Sequence, residues 1–146
     1  MTFCTAVVIW MSILSTLVES IHVQLVPSIT LSEARAEIAA TQVGSWSVFG
    51  LGTIDTVHQY SNHVDLYNSL TRTWFWTTVS TARRAAVAAA ADGQLVIAGG
   101  YSPTGESAAV DLWDSATDVW STSTLTQARW EMTAASANHQ ILLAGG

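Results

Sequence analysis

The stretch Val79-Ser80-Thr81-Ala82-Arg83-Arg84-Ala85-Ala86-Val87-Ala88-Ala89-Ala90-Ala91-Asp92-Gly93-Gln94-Leu95-Val96-Ile97-Ala98-Gly99-Gly100 decides how this chain is read, because it occurs three times. The other copies run from Leu31-Ser32-Glu33-Ala34-Arg35 to Gly52 and from Leu125-Thr126-Gln127-Ala128-Arg129 to Gly146, aligned without a gap at offsets of 48 and 46. Taken alone, the Ala-rich part has strong helix propensity, and Thr30-x-x-Glu33 ahead of Ala34-Arg35 imitates a capping box. The third copy keeps the register with a less helical composition, Trp130-Glu131-Met132-Thr133-Ala134. Packing in a repeated unit overrides propensity, so strand is the expectation for all three.

A second feature shares the period. Val64-Asp65-Leu66-Tyr67-Asn68 with Trp74 recurs 46 residues on as Val110-Asp111-Leu112-Trp113-Asp114 with Trp120. A period near 46 with several short apolar runs per unit points to four-stranded propeller blades. Leu95-Val96-Ile97-Ala98 reads as a strand buried on both faces, and as the innermost of its blade. Ala108, Val110 and Leu112 alternate with Ala109, Asp111 and Trp113, the period of two for a strand with distinct faces. Asn68 to Arg72 and Asp114 to Asp118 supply turns.

Composition limits the partners. The chain has 146 residues, 49% hydrophobic and 11% charged, enough for one domain and too apolar for a disordered tail. Lys is absent, five Arg face eleven acidic residues, and a net charge of −6 offers no footprint for nucleic acid. The single Cys4 excludes an intramolecular disulfide and a Cys-based zinc site. Thr2 to Val18 carries no charge and ends at Glu19, the pattern of a signal peptide or signal anchor over residues 1–20. The expectation is a secreted or cell-surface protein, touching a membrane only through this segment if it is uncleaved. Residues 21–30 form a lead-in.

Taken together, the apolar run, Gly-Gly, Val-Asp-Leu-Tyr/Trp-Asp/Asn, Trp and Ala-Arg order over residues 31–146 resembles the kelch repeat of β-propellers. The resemblance implies an all-β fold of kelch-type four-stranded antiparallel blades. About two and a half periods are present against about four to eight blades in a closed propeller, so the expectation is an incomplete propeller and a fragment of a longer one, with a ring of several copies as the rival. Gly99, Gly100, Gly145 and Gly146 are expected to serve crowded turns, Trp74 and Trp120 to fill gaps between blades, and Arg35, Arg83 and Arg129 to serve the scaffold, since each recurs with the repeat.

Chemistry is sparse. His22, His58, His63 and His139 are scattered, and only His58 and His63 are near neighbours, with Asp55 and Asp65 the nearest carboxylates, so no metal or other cofactor is expected. Asp65 and Asp111 follow the period and read as strand-end or turn partners. Arg84 reads as a single exposed charge, and no Gly-x-Ser-x-Gly places a nucleophile. Recognition should come from segments that differ between copies, the loops Thr53 to Asn62 and Tyr101 to Glu106. Their candidate partner-binding residues are Asp55, His58, Tyr60, Tyr101 and Glu106. The expected function is a noncatalytic module binding protein or carbohydrate. The alternative implied by the resemblance is a fragment of a galactose-oxidase-like copper radical enzyme, whose Cys–Tyr crosslink and copper ligands would lie outside this chain.

Overall fold

The computed structural model describes residues 30–54 and 59–146. The chain divides into two units, Met1–Ala34 and Arg35–Gly146, and the strands found among the described residues belong to the second. The expected signal peptide or anchor over residues 1–20 and most of the expected lead-in lie outside the described residues.

Strands β1 (Ala39–Val43), β2 (Trp46–Gly50), β3 (His63–Asn68) and β4 (Thr73–Thr78) form one antiparallel sheet in chain order. Strands β5 (Val87–Ala91), β6 (Gln94–Ala98), β9 (Ala109–Asp114) and β10 (Val119–Thr124) form a second sheet of the same order. Between β6 and β9 the two-residue strands β7 (Tyr101–Ser102) and β8 (Gly105–Glu106) pair with each other, and β11 (Met132–Ala137) and β12 (Gln140–Gly145) close the chain as a hairpin. The fold is all-β with four-stranded antiparallel sheets. The turns repeat as well: Asn68 Oδ1 accepts from the amides of Leu70 and Thr71, and Asp114 Oδ1 from those of Ala116 and Thr117. Those two amides and the Gln94 side chain hold the Asp114 carboxyl below its ordinary pKa.

Period-two alternation decides where each side chain goes. Leu95 and Ile97 enter a cluster with Val43, Val48, Val64, Leu66 and Trp113, whereas Val96 and Ala98 face a second cluster with Val110, Leu112, Met132 and Leu143. One lies between the two four-stranded sheets and the other between the second sheet and the hairpin, so consecutive residues of β6 are apolar because each face has its own core. The Ala-rich segment becomes β5 for the same reason. Ala88 and Ala90 pack against the first cluster and Val87 against the second, while β5 itself lies against both β1 and β11. Small side chains allow that approach, and tertiary packing outweighs helix propensity. The expected innermost position of Leu95–Ala98 is corrected: β6 is second in its sheet, and the edge strand that meets both neighbours is β5.

The junctions between successive sheets match bond for bond. The amide of Gly52 donates to the Arg83 carbonyl at 2.9 Å and that of Gly100 to the Arg129 carbonyl at 2.8 Å. The Arg83 amide donates to the Ser61 carbonyl at 3.2 Å, and the Arg129 amide to that of Ser107 at 3.1 Å. Two residues past each repeated Arg the backbone is left-handed, with φ of 55° at Glu37, 49° at Ala85 and 52° at Glu131. These residues join in a row, the Ala85 amide donating to the Glu37 carbonyl and the Glu131 amide to the Ala85 carbonyl, both at 3.3 Å.

Candidate functional site

At the end of the sheets where these junctions lie, the residue after each repeated Arg differs: Ala36, Arg84 and Trp130. Bridges pair Ala36 with Thr53 and Arg84 with Tyr101, so the loops that follow β2 and β6 are held beside those positions. The consequence is a cluster centred on Arg84. Its guanidinium carbon lies 5.9 Å from the ring centre of Tyr60, 5.5 Å from that of Tyr101 and 5.7 Å from that of Trp130, within cation–π range of all three. Tyr101 and Trp130 meet edge to face at 5.4 Å.

Arg84 Nη1 also donates to both carboxylate oxygens of Glu37, at 2.8 and 3.0 Å, and Thr53 Oγ1 donates to Glu37 Oε2 at 3.0 Å. The contacts with Tyr60 and then Glu37 hold the guanidinium above its ordinary pKa, so it is charged at any working pH. Its side chain is 21% exposed and that of Glu37 46% exposed, which leaves the cluster open to a partner. Arg84 Nε is buried without an acceptor, an unused donor inside the cluster. Flat rings around a fixed cation can stack on a partner and accept or donate hydrogen bonds at their tips.

Of the residues singled out from the sequence, Tyr60 and Tyr101 come together here, Glu106 stands exposed at the end of β8, and Asp55 and His58 lie outside the described residues. Glu37, Arg84 and Trp130 were not among them. For Arg84 and Trp130 the signal was the position after the repeated Arg, which keeps its register while its residue type changes in every copy; Glu37 lies one residue further on.

The repeated charges do something else. Arg35 pairs with Asp65 and Arg83 with Asp111, all four side chains sealed from solvent. Arg83 further donates to the carbonyls of Gly99 at 2.7 Å, Thr81 at 2.9 Å and Ile97 at 3.3 Å, and Asp111 Oδ1 accepts from the Ser80 amide at 3.0 Å. Arg35 reaches the carbonyl of Leu51 and Arg129 that of Gly145, each 16 residues on, as Arg83 reaches Gly99. With the Nη groups of all three arginines engaged, this set pins strand ends.

Gly100, at φ 106°, would place a Cβ 2.7 Å from the Arg84 carbonyl, and Gly99 would place one 2.6 Å from that of Arg129. Trp120 packs between the sheets, whereas Trp74 lies on the opposite face of its own sheet against Tyr67 and Phe49. His63 stacks on Trp76 at 4.9 Å, and among the described residues no group of three or more His, Cys, Asp or Glu side chains could hold a metal. Comparison with protein-family models and with curated proteins finds no match for the chain.

Proposed function

We propose that this chain is a noncatalytic interaction module built of kelch-like propeller blades, acting outside the cell or at its surface and binding a protein or glycan through the loops at the Arg84 end of its sheets. The observation that carries the reading is the convergence of Tyr60, Tyr101 and Trp130 on Arg84. Three rings contributed by two loops and the start of the third repeat form one surface, while the repeated charges are committed to the scaffold. The propeller reading is supported by the identical junctions between sheets and by the row of left-handed residues at one strand end.

The test uses the full chain on immobilised arrays of extracellular proteins and glycans, compared with the Tyr60→Ala/Tyr101→Ala variant and with Arg84→Gln. Loss in both variants of at least one signal that the parent gives, at a nearly unchanged melting temperature, supports the reading. Signals unaltered in both variants overturn it, as does an absence of binding by the parent.

A further inference from the structure

At the other end of the strands lies a second, independent cleft. It opens between the facing sheets: Gln94, Asp114 and Val119 pair at the end opposite Ala98, Val110 and Thr124, the lining residues Trp46, Trp113, Ser115, Asp118 and Trp120 lie toward that end, and Phe75 and Thr77 carry the lining back along β4. Its volume is about 440 Å³. Trp46 and Trp113 form the floor, meeting edge to face at 5.7 Å. Phe75 of β4 stands on one side, tilted against Trp46 at 5.8 Å, and Trp120 of β10 on the other, stacked on Trp113 at 6.0 Å. Phe75 is 53% exposed, an aromatic ring offered to solvent at the mouth of an aromatic cleft.

The rim is polar. Asp118, held at φ 57° in the turn between β9 and β10, accepts from Trp113 Nε1 at 2.9 Å through Oδ1, and Thr77 and Ser115 also line the cleft. Trp113 therefore engages one oxygen of a carboxylate that lines the cleft.

We propose that this cleft binds a neutral pyranose, as a disaccharide or the end of a longer glycan. A pyranose carries C–H groups on its flat face and hydroxyls around its edge, which matches aromatic side walls with an acceptor at the rim. The size and charge of the cleft separate this ligand from the alternatives. The volume far exceeds what one quaternary ammonium group fills and lies in the range of small-molecule sites. Anionic ligands meet Asp118 and a chain of net charge −6. A purely apolar ligand would leave the Asp118, Thr77 and Ser115 groups at the rim unused.

The proposal does not rest on the Arg84 cluster, and its test is separate. Intrinsic Trp fluorescence of the full chain is followed during titration with cellobiose, lactose and N,N′-diacetylchitobiose, and with choline as the cationic control. The expected result is a saturable change with at least one disaccharide and none with choline. Affinity should fall about tenfold or more in Phe75→Ala and in Asp118→Asn, the latter losing a charged acceptor for a sugar hydroxyl while keeping an oxygen for Trp113 Nε1. The Tyr60→Ala/Tyr101→Ala variant should bind the sugar as the parent does. Saturation by choline alone, no saturation by any of the three disaccharides, or undiminished affinity in both cleft variants overturns the proposal.

Discussion

Arg83 Nη2 donates to Asp111 Oδ2 at 2.7 Å, with the two side chains 0% and 2% exposed, and the same pair stands one repeat earlier as Arg35 and Asp65. A guanidinium sealed from water is tolerated because a carboxylate and three carbonyls accept its hydrogen bonds. Removing either partner leaves a buried charge uncompensated. Asp111→Ala should cost about 3 to 5 kcal/mol in chemical denaturation. Arg83→Ala should cost at least as much, since it also frees the carbonyls of Gly99, Thr81 and Ile97. A loss under about 1 kcal/mol for both would show that water reaches the pair.

Two glycines of similar φ separate backbone strain from collision. Gly100 at φ 106° has the Arg84 carbonyl 2.7 Å from where a Cβ would stand, while Gly105 at φ 116° has nothing within 4 Å. Gly105→Ala should cost on the order of 1 to 3 kcal/mol from conformation alone. Gly100→Ala should cost more and should perturb the pairing of Tyr101 with Arg84, visible as a loss of amide protection at those two residues. Equal costs at the two positions would remove the collision argument.

Ala85 makes the opposite case. Its φ of 49° is one a side chain rarely adopts, and its equivalents Glu37 and Glu131 share it. Ala85→Gly relieves about 1 to 2 kcal/mol of strain in the folded chain and adds freedom to the unfolded one, so the net change should be within about 1 kcal/mol. An Ala85→Val variant, β-branched in the same conformation, should be clearly less stable. Denaturant midpoints of the two variants decide it.

His139, on the turn between β11 and β12, bonds through Nδ1 to Asp92 on the turn between β5 and β6. That bond and the carboxylate charge raise the His139 pKa above its ordinary value near 6.5. With the folded value raised, the stabilisation is fully present below the unfolded pKa and is lost as pH rises through the folded one. An NMR titration should show a raised midpoint that returns to the ordinary value in Asp92→Asn, and salt should weaken the shift, since both groups are exposed.

Much of the architecture was legible from residues 79–100 and their copies, because a period-two strand with a core on each face must be apolar at every position. The same periodicity marked Arg35, Arg83, Asp65 and Asp111 as belonging to the repeat, though not as partners of one another. A separation of 28 or 30 residues says nothing about contact until the chain has turned through β5 and β6 to bring β9 beside Arg83, and through β1 and β2 to bring β3 beside Arg35. The candidate site was legible by half. Tyr60 and Tyr101 stand out because their loops differ between copies, but Arg84 reads as an ordinary solvated charge and Trp130 as part of a strand start.

What the sequence by itself determined is therefore the repeat, its register, the all-strand character and the positions committed to every copy, since these are properties of spacing along the chain. Only the tertiary structure decided that β5 rather than β6 takes the edge, that Arg84 sits among three rings, and that Phe75, Trp113 and Trp120 wall a cleft with Asp118 at its rim. Those relations join residues from different repeats, and the distance between repeats is set by how closely the Ala-faced β5 lets its neighbours approach, a packing quantity that no single stretch of sequence carries.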